Sequence, residues 1–317
     1  MKRRDVVALL GAAAAWPLAA HAQQPAAAPE QIAPGPLDPR VTPARPDLAA
    51  KQLDGIVQAQ RFVTGQAFEI AAAQAPVREK PSPDAMLQTE ALKGERLTIY
   101  DIRDGWAWGQ LDADRYVGYL PASALGAPGP AATHKVTALR TFVFPGPSIK
   151  LPPTETLSFA SRLPIARTDD TFAVTATGGY VPLVHLAPLD ATESDFVAVA
   201  ERFLGTPYLW GGKTSLGLDC SALVQLALGA CGVAAPRDTD MQEQALGSAL
   251  APADALAQLR RGDLVFWKGH VAIARDATTL LHATAHPMAV AIEPTAPAIA
   301  RIRDDAGEVT SVRRLPA

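Results

Sequence analysis

The hydrophobic pattern changes period once, near residue 192, and that change sets the architecture. Upstream, from about residue 66, short alternating runs recur: AFEIAAA, RLTIYDI, WAWGQL and YVGYLP, then KVTALRTFVF, RLPIART, FAVTAT and YVPLVHL. They are separated by Gly, Pro and Asp. Apolar alternation bounded by turn formers predicts small antiparallel β-units. Downstream, DFVAVAERFL puts Phe196, Val199 and Phe203 at helical spacing, with Thr192 or Ser194 placed to cap the helix. A second helix is expected from Asp219-Cys220 through SALVQLALGA to Gly232, and a third over ADALAQL. After Gly262, DLVFW, HVAIAR, LLHAT, AVAIEP and AIARIR read as strands. Helices followed by antiparallel strands make an α+β domain.

The two β runs look like a repeat. RLTIYDIRDGWAWGQL from Arg96 aligns with RLPIARTDDTFAVTAT from Arg162, so Trp106 matches Phe172 and Trp108 matches Val174. A two-residue gap then aligns Tyr116-Val117 with Tyr180-Val181. Each copy has the size of a small barrel. Trp106 is read as core packing, and Tyr116 and Tyr119 as partly exposed. The expected organisation is residues 66–128 and 133–190 for the two barrels and 191–317 for the α+β domain.

The N-terminal stretch MKRRDVVALLGAAAAWPLAAHAQQ has a basic start, an apolar run and the small-residue end Ala20-His21-Ala22. It reads as a twin-arginine-like signal peptide over residues 1–22, and so as an exported, periplasmic protein beginning near Gln23. Its apolar run is shorter than the roughly 20 residues of a spanning helix, so no stable membrane insertion is expected after cleavage. Residues 23–65 read as an Ala/Pro/Gln-rich extended linker, ending in a piece, DLAAKQLDGIV, able to form one or two helical turns. A net charge of -3 without a basic block gives no footprint for nucleic acid.

Cys220 and Cys231 are the only cysteines. Gly217 and Asp219 mark a turn, which places Cys220 in the first turn of an apolar helix, where the positive dipole end favours a thiolate. Cys231 falls near the other end, roughly 16 Å away at about 1.5 Å per residue. That is too far for a disulfide and at the wrong pole for a thiolate. Of the histidines, His270 and His282 lie in apolar alternating strands joined by a short polar turn. A three-residue loop at Arg275-Asp276-Ala277 would set 270 opposite 282 on one face, one imidazole as base and the other as orienter. A metal is not expected, because no third ligand stands at suitable spacing, and no cofactor is implied.

RFLGTPYLWGGKTSLGLDCSALVQLAL resembles the NlpC/P60 peptidases of bacterial peptidoglycan. There a Tyr-x-Trp-Gly-Gly segment precedes Asp-Cys-Ser-Gly and a helix, followed by Gly-Asp-Leu-Val-Phe, His-Val-Gly-Ile and Phe/Ile-His-Ala. This chain has Tyr208-Leu209-Trp210-Gly211-Gly212, Asp219-Cys220-Ser221, RGDLVFW, HVAI and LLHA, in order from about 197 to 293. Ala222 and Ala272 stand where the family usually has Gly, which predicts narrower packing around the nucleophile. GWAWGQLDADRYVGYLPASAL resembles a bacterial SH3-like domain. The resemblance therefore implies two SH3-like barrels before a papain-like α+β domain, a cysteine peptidase acting on peptidoglycan stem peptides, Cys220 as nucleophile, His270 as base, His282 as orienter, and Tyr208 at the oxyanion or substrate carbonyl. Pro236-Arg237-Asp238-Thr239 is similar to a segment of the γ-D-glutamyl-L-diamino acid endopeptidases of the dipeptidyl-peptidase VI type. That similarity implies a free N-terminal L-Ala whose amine Asp238 binds, with Thr239, Asp219, Ser221 and Trp210 lining the pocket and Tyr116 reaching in from the first barrel. Capping of the helix that begins at DMQEQAL is the competing role for Asp238. A general wall hydrolase, or another Cys-His amidase or acyltransferase, is the alternative activity. The sequence leaves the oligomeric state open.

Overall fold

The computed structural model describes residues 37–316. The signal-peptide reading and the first part of the linker lie outside the described residues.

Seven antiparallel strands form the first β-unit, in the spatial order Leu87–Leu92, Gln74–Arg78, Val117–Pro121, Trp106–Leu111, Arg96–Arg103, Gln66–Ile70 and Leu125–Gly126. Alternation does the folding. In Arg96–Arg103, Leu97 and Ile99 point into a core with Ile70, Val77, Leu111 and Leu120, while their neighbours face outward. Trp108, not Trp106, is the buried indole. The same plan recurs over residues 134–188 in three smaller antiparallel sheets. In each copy a hairpin leads into a strand, a 3₁₀ turn and a last short strand: Val117–Pro121, Ala122–Ala124 and Leu125–Gly126, then Tyr180–Pro182, Leu183–His185 and Leu186–Pro188. Strand register corrects the sequence alignment. Trp106 faces Pro121 and Trp108 faces Tyr119, as Phe172 faces Pro182 and Val174 faces Tyr180. Tyr180 is therefore the counterpart of Tyr119. Tyr116 belongs to a longer turn of the first copy.

The linker reading fails for residues 37–47, which lie against the first β-unit. Gln110 Nε2 donates to Val41 O (2.7 Å) and Val117 N–H to Arg40 O (2.7 Å). The Arg45 guanidinium stacks over Trp108, 4.4 Å from the ring centroid, and bonds Asp101. Charged side chains with partners at long range order a composition that local rules read as loose. The segment after it makes a two-residue strand, Ala49–Ala50, and a single 3₁₀ turn, Lys51–Leu53.

The remaining chain is a six-stranded antiparallel sheet in the order Ser248–Leu250, Ser311–Arg314, Leu264–Trp267, His270–Ala274, Thr279–Thr284 and Ala289–Pro294. Helices α1 (Phe196–Glu201) and α2 (Cys220–Ala230) cover one face through Phe203, Leu223, Ala227, Phe266, Ile273 and Leu281. Helix α3 (Thr239–Ala245) follows α2. Helices α4 (Pro252–Leu256) and α5 (Thr295–Ala306) cover the other face, over Val265, Trp267 and Leu280. Asp195, rather than Thr192 or Ser194, caps α1, accepting from the N–H groups of Val197 and Ala198. AIARIR is part of α5, not a strand. Ala298 and Ile302, four residues apart, are its buried face, and a period-two reading of six residues cannot tell that spacing from alternation.

Candidate active site

Helix α2 opens as the turn residues predict. Asp219 is its N-cap, accepting from Ala222 N–H at 2.9 Å, and Cys220 is its first residue. The thiol is 5% exposed. Burial pushes it up to about 12, with the Asp219 charge adding to the shift. The backbone N–H groups of Val271 and Ser221 and the charge of Arg237 act the other way. Burial and the helix pole thus act on this thiol in opposite directions. Cys231 is the C-cap of α2, and both cysteines are free.

His270 enters from a two-residue turn, Lys268-Gly269, that joins paired Trp267 and His270, with Gly269 at φ +76°. Its neighbour Val271 is the residue whose N–H meets the Cys220 sulfur, so strand and helix bring the two groups to one end of the sheet. The register differs from the expected one. Ile273 pairs with Leu281 and Ala274 with Leu280, an offset of two that keeps His270 and His282 on one face but diagonal. Their rings still meet, with Nε2 of His270 2.8 Å from Nδ1 of His282. Nε2 of His282 lies 2.7 Å from Glu293 Oε2, which also accepts from Arg301 Nη2 at 2.5 Å. The hydrogen bond from His282, with help from Arg301, holds the Glu293 carboxyl below its usual range. A carboxylate only accepts, so His282 carries its proton on Nε2, and its bare Nδ1 accepts from His270 Nε2–H. This leaves Nδ1 of neutral His270 as a proton acceptor. Burial, reinforced by His282 and Arg301, lowers His270 to about 3.

A cleft of about 370 Å³ lies over the sulfur. Tyr208, Trp210, Asp219, Cys220, Ser221, Asp238 and Thr239 line it, so the structure gathers these sequence candidates in one place. Burial, with the nearby Cys220 and Asp219 charges, pushes the Tyr208 phenol above its usual range. Trp210 is 59% exposed at the mouth. Tyr116 is buried, not exposed, and its hydroxyl crosses from the first β-unit to lie 3.1 Å from Asp238 Oδ2 and 3.2 Å from Gln88 Oε1. Asp238 occupies the N-cap position of α3 but makes no side-chain cap bond. Its carboxylate turns to Tyr116 and to Arg40 Nη1 (2.8 Å) instead. Burial pushes Asp238 up, while the charges of Arg237 and Arg40 pull it back.

Sequence reasoning missed four residues of this site: Arg40, Arg237, Glu293 and Gln88. Arg237 stands inside the quoted motif, and its signal is its burial, at 1% exposure. It spends all five donors on Thr89 Oγ1, Asp219 Oδ1 and Oδ2, Ser221 Oγ and Gly212 O. Ser221 and Asp219 are thereby members of a buried network beside the cleft. The strand Leu87–Leu92 closes it from the first β-unit. Thr89 accepts from Arg237, Glu90 Oε2 accepts from Lys213 N–H (2.8 Å), and Lys213 Nζ bonds Glu95 (3.0 Å). Leu87 O comes so close to Gly211, at φ +73°, that a Cβ there would sit 2.5 Å from it, which is why the second half of Tyr-x-Trp-Gly-Gly is glycine.

Family comparison agrees with both parts of this construction. Residues 205–300 match the NlpC/P60 family and residues 77–125 match the bacterial dipeptidyl-peptidase Sh3 domain. Residues 205–300 thus carry the NlpC/P60 signature, with an SH3-like unit ahead of them. Among curated relatives it is 36% identical over 100 residues to dipeptidyl-peptidase 6 of Lysinibacillus sphaericus, covering 32% of this chain and 35% of that protein. It is 29% identical over 198 residues to the gamma-D-glutamyl-L-lysine dipeptidyl-peptidase of Bacillus subtilis, covering 58% and 65%. The chain thus spans about a third of the first relative and just under two thirds of the second. The fold is that of an NlpC/P60 family protein from Bacillus cereus, with a TM-score of 0.65 at 21% identity, over 79% of this chain and 100% of that one.

Proposed function

We propose that the protein is a cysteine peptidase that hydrolyses the γ-D-glutamyl–diamino acid bond of peptidoglycan stem peptides beginning with a free L-Ala. One observation carries the substrate reading. A half-buried carboxylate, Asp238, forgoes its helix-capping bond and turns to Tyr116 and Arg40 at the edge of the cleft over Cys220. A partly desolvated carboxylate facing a cleft favours an ammonium over an uncharged acylated nitrogen. The names of the two curated relatives support the bond and the dipeptide product.

The chemistry follows from the histidine tautomers. His270 Nδ1 takes the Cys220 proton as the sulfur attacks the γ-carbonyl. Tyr208 and the N–H groups beside the sulfur stand where the oxyanion forms. His270 returns the proton to the leaving amine, and water then cleaves the thioester by the same route. His282 and Glu293 hold the acceptor nitrogen of His270 toward the thiol. Thr239 and Trp210 border the substrate.

The test is kinetic. A charge-assisted hydrogen bond to a desolvated ammonium contributes about 1.5–3 kcal/mol. Asp238→Ala should therefore lower kcat/KM on free-amine peptides about tenfold to a hundredfold, and N-acetylation should cost the wild type at least as much. The two losses should be less than additive. A wild type that cuts N-acylated or sugar-linked stems as fast as free ones would instead be a general wall hydrolase. Among the described residues no helix is long and apolar enough to cross a membrane. Export to the periplasm by the Arg3-Arg4 signal belongs to the same proposal. N-terminal sequencing of the natural protein should find a start near Gln23, and an intact Met1 would refute export.

A further inference from the structure

The guanidinium of Arg40 sits among three carboxylates at the end of the cleft. Nε bonds Asp38, at 3.1 and 3.2 Å. Nη1 bonds Asp238 Oδ2 and Asp240 Oδ1, both at 2.8 Å. Nη2 bonds Asp38 Oδ2 at 2.7 Å and Asp240 Oδ2 at 2.6 Å. An arginine has five N–H donors in a rigid fork, and all five are used here. The backbone is held as well, by Arg40 N–H to Asp38 Oδ1 (2.8 Å) and Val117 N–H to Arg40 O (2.7 Å). On Asp238, Oδ2 receives both Arg40 and the Tyr116 hydroxyl. Oδ1 has no hydrogen-bond partner among the described residues.

We propose that Arg40 is a specificity-determining residue that acts through Asp238, holding one carboxylate oxygen so that the other is left, oriented and ionised, for the substrate ammonium. The proposal rests on the free-amine reading above. With every donor engaged, Arg40 has none for a ligand, so it positions and does not itself bind. One guanidinium among three carboxylates leaves the cluster negative, which an incoming ammonium offsets. The same contact has an opposite interpretation, in which Arg40 is a plug that an ammonium must displace. Geometry favours the brace. Arg40 grips Asp38 and Asp240 through both of their oxygens and Asp238 through one, so losing the Asp238 contact would not free it.

The two interpretations predict opposite signs of the change in KM. The full chain and its Arg40→Met, Arg40→Lys and Asp240→Asn variants are assayed on L-Ala-γ-D-Glu-L-Lys and its N-acetyl form. Arg40→Met should raise KM for the free peptide about tenfold while kcat stays within about twofold, so the free-to-acetyl ratio of kcat/KM falls about tenfold. Arg40→Lys keeps the charge without the fork and should recover part of the ratio. Asp240→Asn loosens the far side of the brace and should shift the ratio in the same direction by less. If Arg40→Met does not fold, as circular dichroism would show, the other two variants decide. A lower KM in the Arg40 variants would make it a plug and overturn the proposal, as would an unchanged ratio. A wild type indifferent to N-acetylation would sink the amine reading itself. A wild-type preference that survives in every variant would sink only the role given to Arg40.

Discussion

Replacing Arg237 by methionine should be among the most damaging single changes in this protein, and the structure says by how much. The side chain is 1% exposed and grips both oxygens of Asp219, at 2.9 and 2.8 Å. Methionine fills similar space but leaves the Asp219 carboxylate in the interior without its cation. Breaking a buried pair by removing one partner costs about 3–5 kcal/mol. Asp219 keeps three other donors, Ala222 N–H, Gly211 N–H and the Ser221 hydroxyl, and lies at the positive end of α2. Those contacts place the expected loss at the lower end, about 3 kcal/mol, a large share of the ~5–15 kcal/mol that holds a typical domain. Urea unfolding followed by tryptophan fluorescence measures it. Asp219→Asn removes the stranded charge, so the double variant should be more stable than the sum of the single losses predicts, with a coupling of about 2 kcal/mol. Because Asp219 caps the helix that presents Cys220, kcat should also fall under conditions where Arg237→Met is still folded. A loss below about 1 kcal/mol, or strict additivity with Asp219→Asn, would refute the reasoning.

His270→Ala should lower kcat/KM more than His282→Ala, because the base moves the proton and the orienter only aligns it. Glu293→Gln should reduce kcat further than KM, because an amide can donate toward His282 and reverse the tautomer, and equal rates for Glu293→Gln and wild type would remove Glu293 from the site. Cys220→Ala should abolish turnover and Cys231→Ala should preserve most of it, which product analysis by chromatography checks. With burial setting the Cys220 thiol near 12, its alkylation by iodoacetamide should keep rising through the alkaline range, whereas a rate plateau near neutral pH would mean that thiolate and imidazolium are already formed at rest.

Features set by neighbours in sequence were legible before the structure. Asp219 and the helix it caps, Cys220–Ala230, are consecutive residues shaped by local chemistry, and the strands from Leu264 to Pro294 announce themselves by apolar runs. What the sequence hid was set by distance. Arg40 meets Asp238 across 198 positions, and Tyr116 meets it across 122. Neither partner leaves a trace in the other's neighbourhood. The misplaced repeat had a related origin, since aligning Tyr180 with Tyr116 ignored a turn that only the first copy lengthens. That extra length brings a phenol to the cleft. The Cys220 thiol shows a different limit. Its position at a helix pole could be read, but the weight of burial against that pole depends on what covers it. Glu293 stands eleven residues from His282 and on the next strand, close enough to be found had the hairpin register been known.

The strand Leu87–Leu92 contributes a threonine and a glutamate to a network whose other half lies beyond residue 210, and it packs its main chain against Gly211. A cut placed between the β-units and the helical part, where the sequence pattern invites one, would leave Arg237 short of an acceptor and open Lys213 to water. The front of this chain is therefore not an address label carried by an enzyme that could work without it. Grafting the helical part behind a different module would deliver an unfinished cleft, and a change of specificity by such an exchange would require the new module to bring its own equivalents of Thr89, Glu90 and Tyr116.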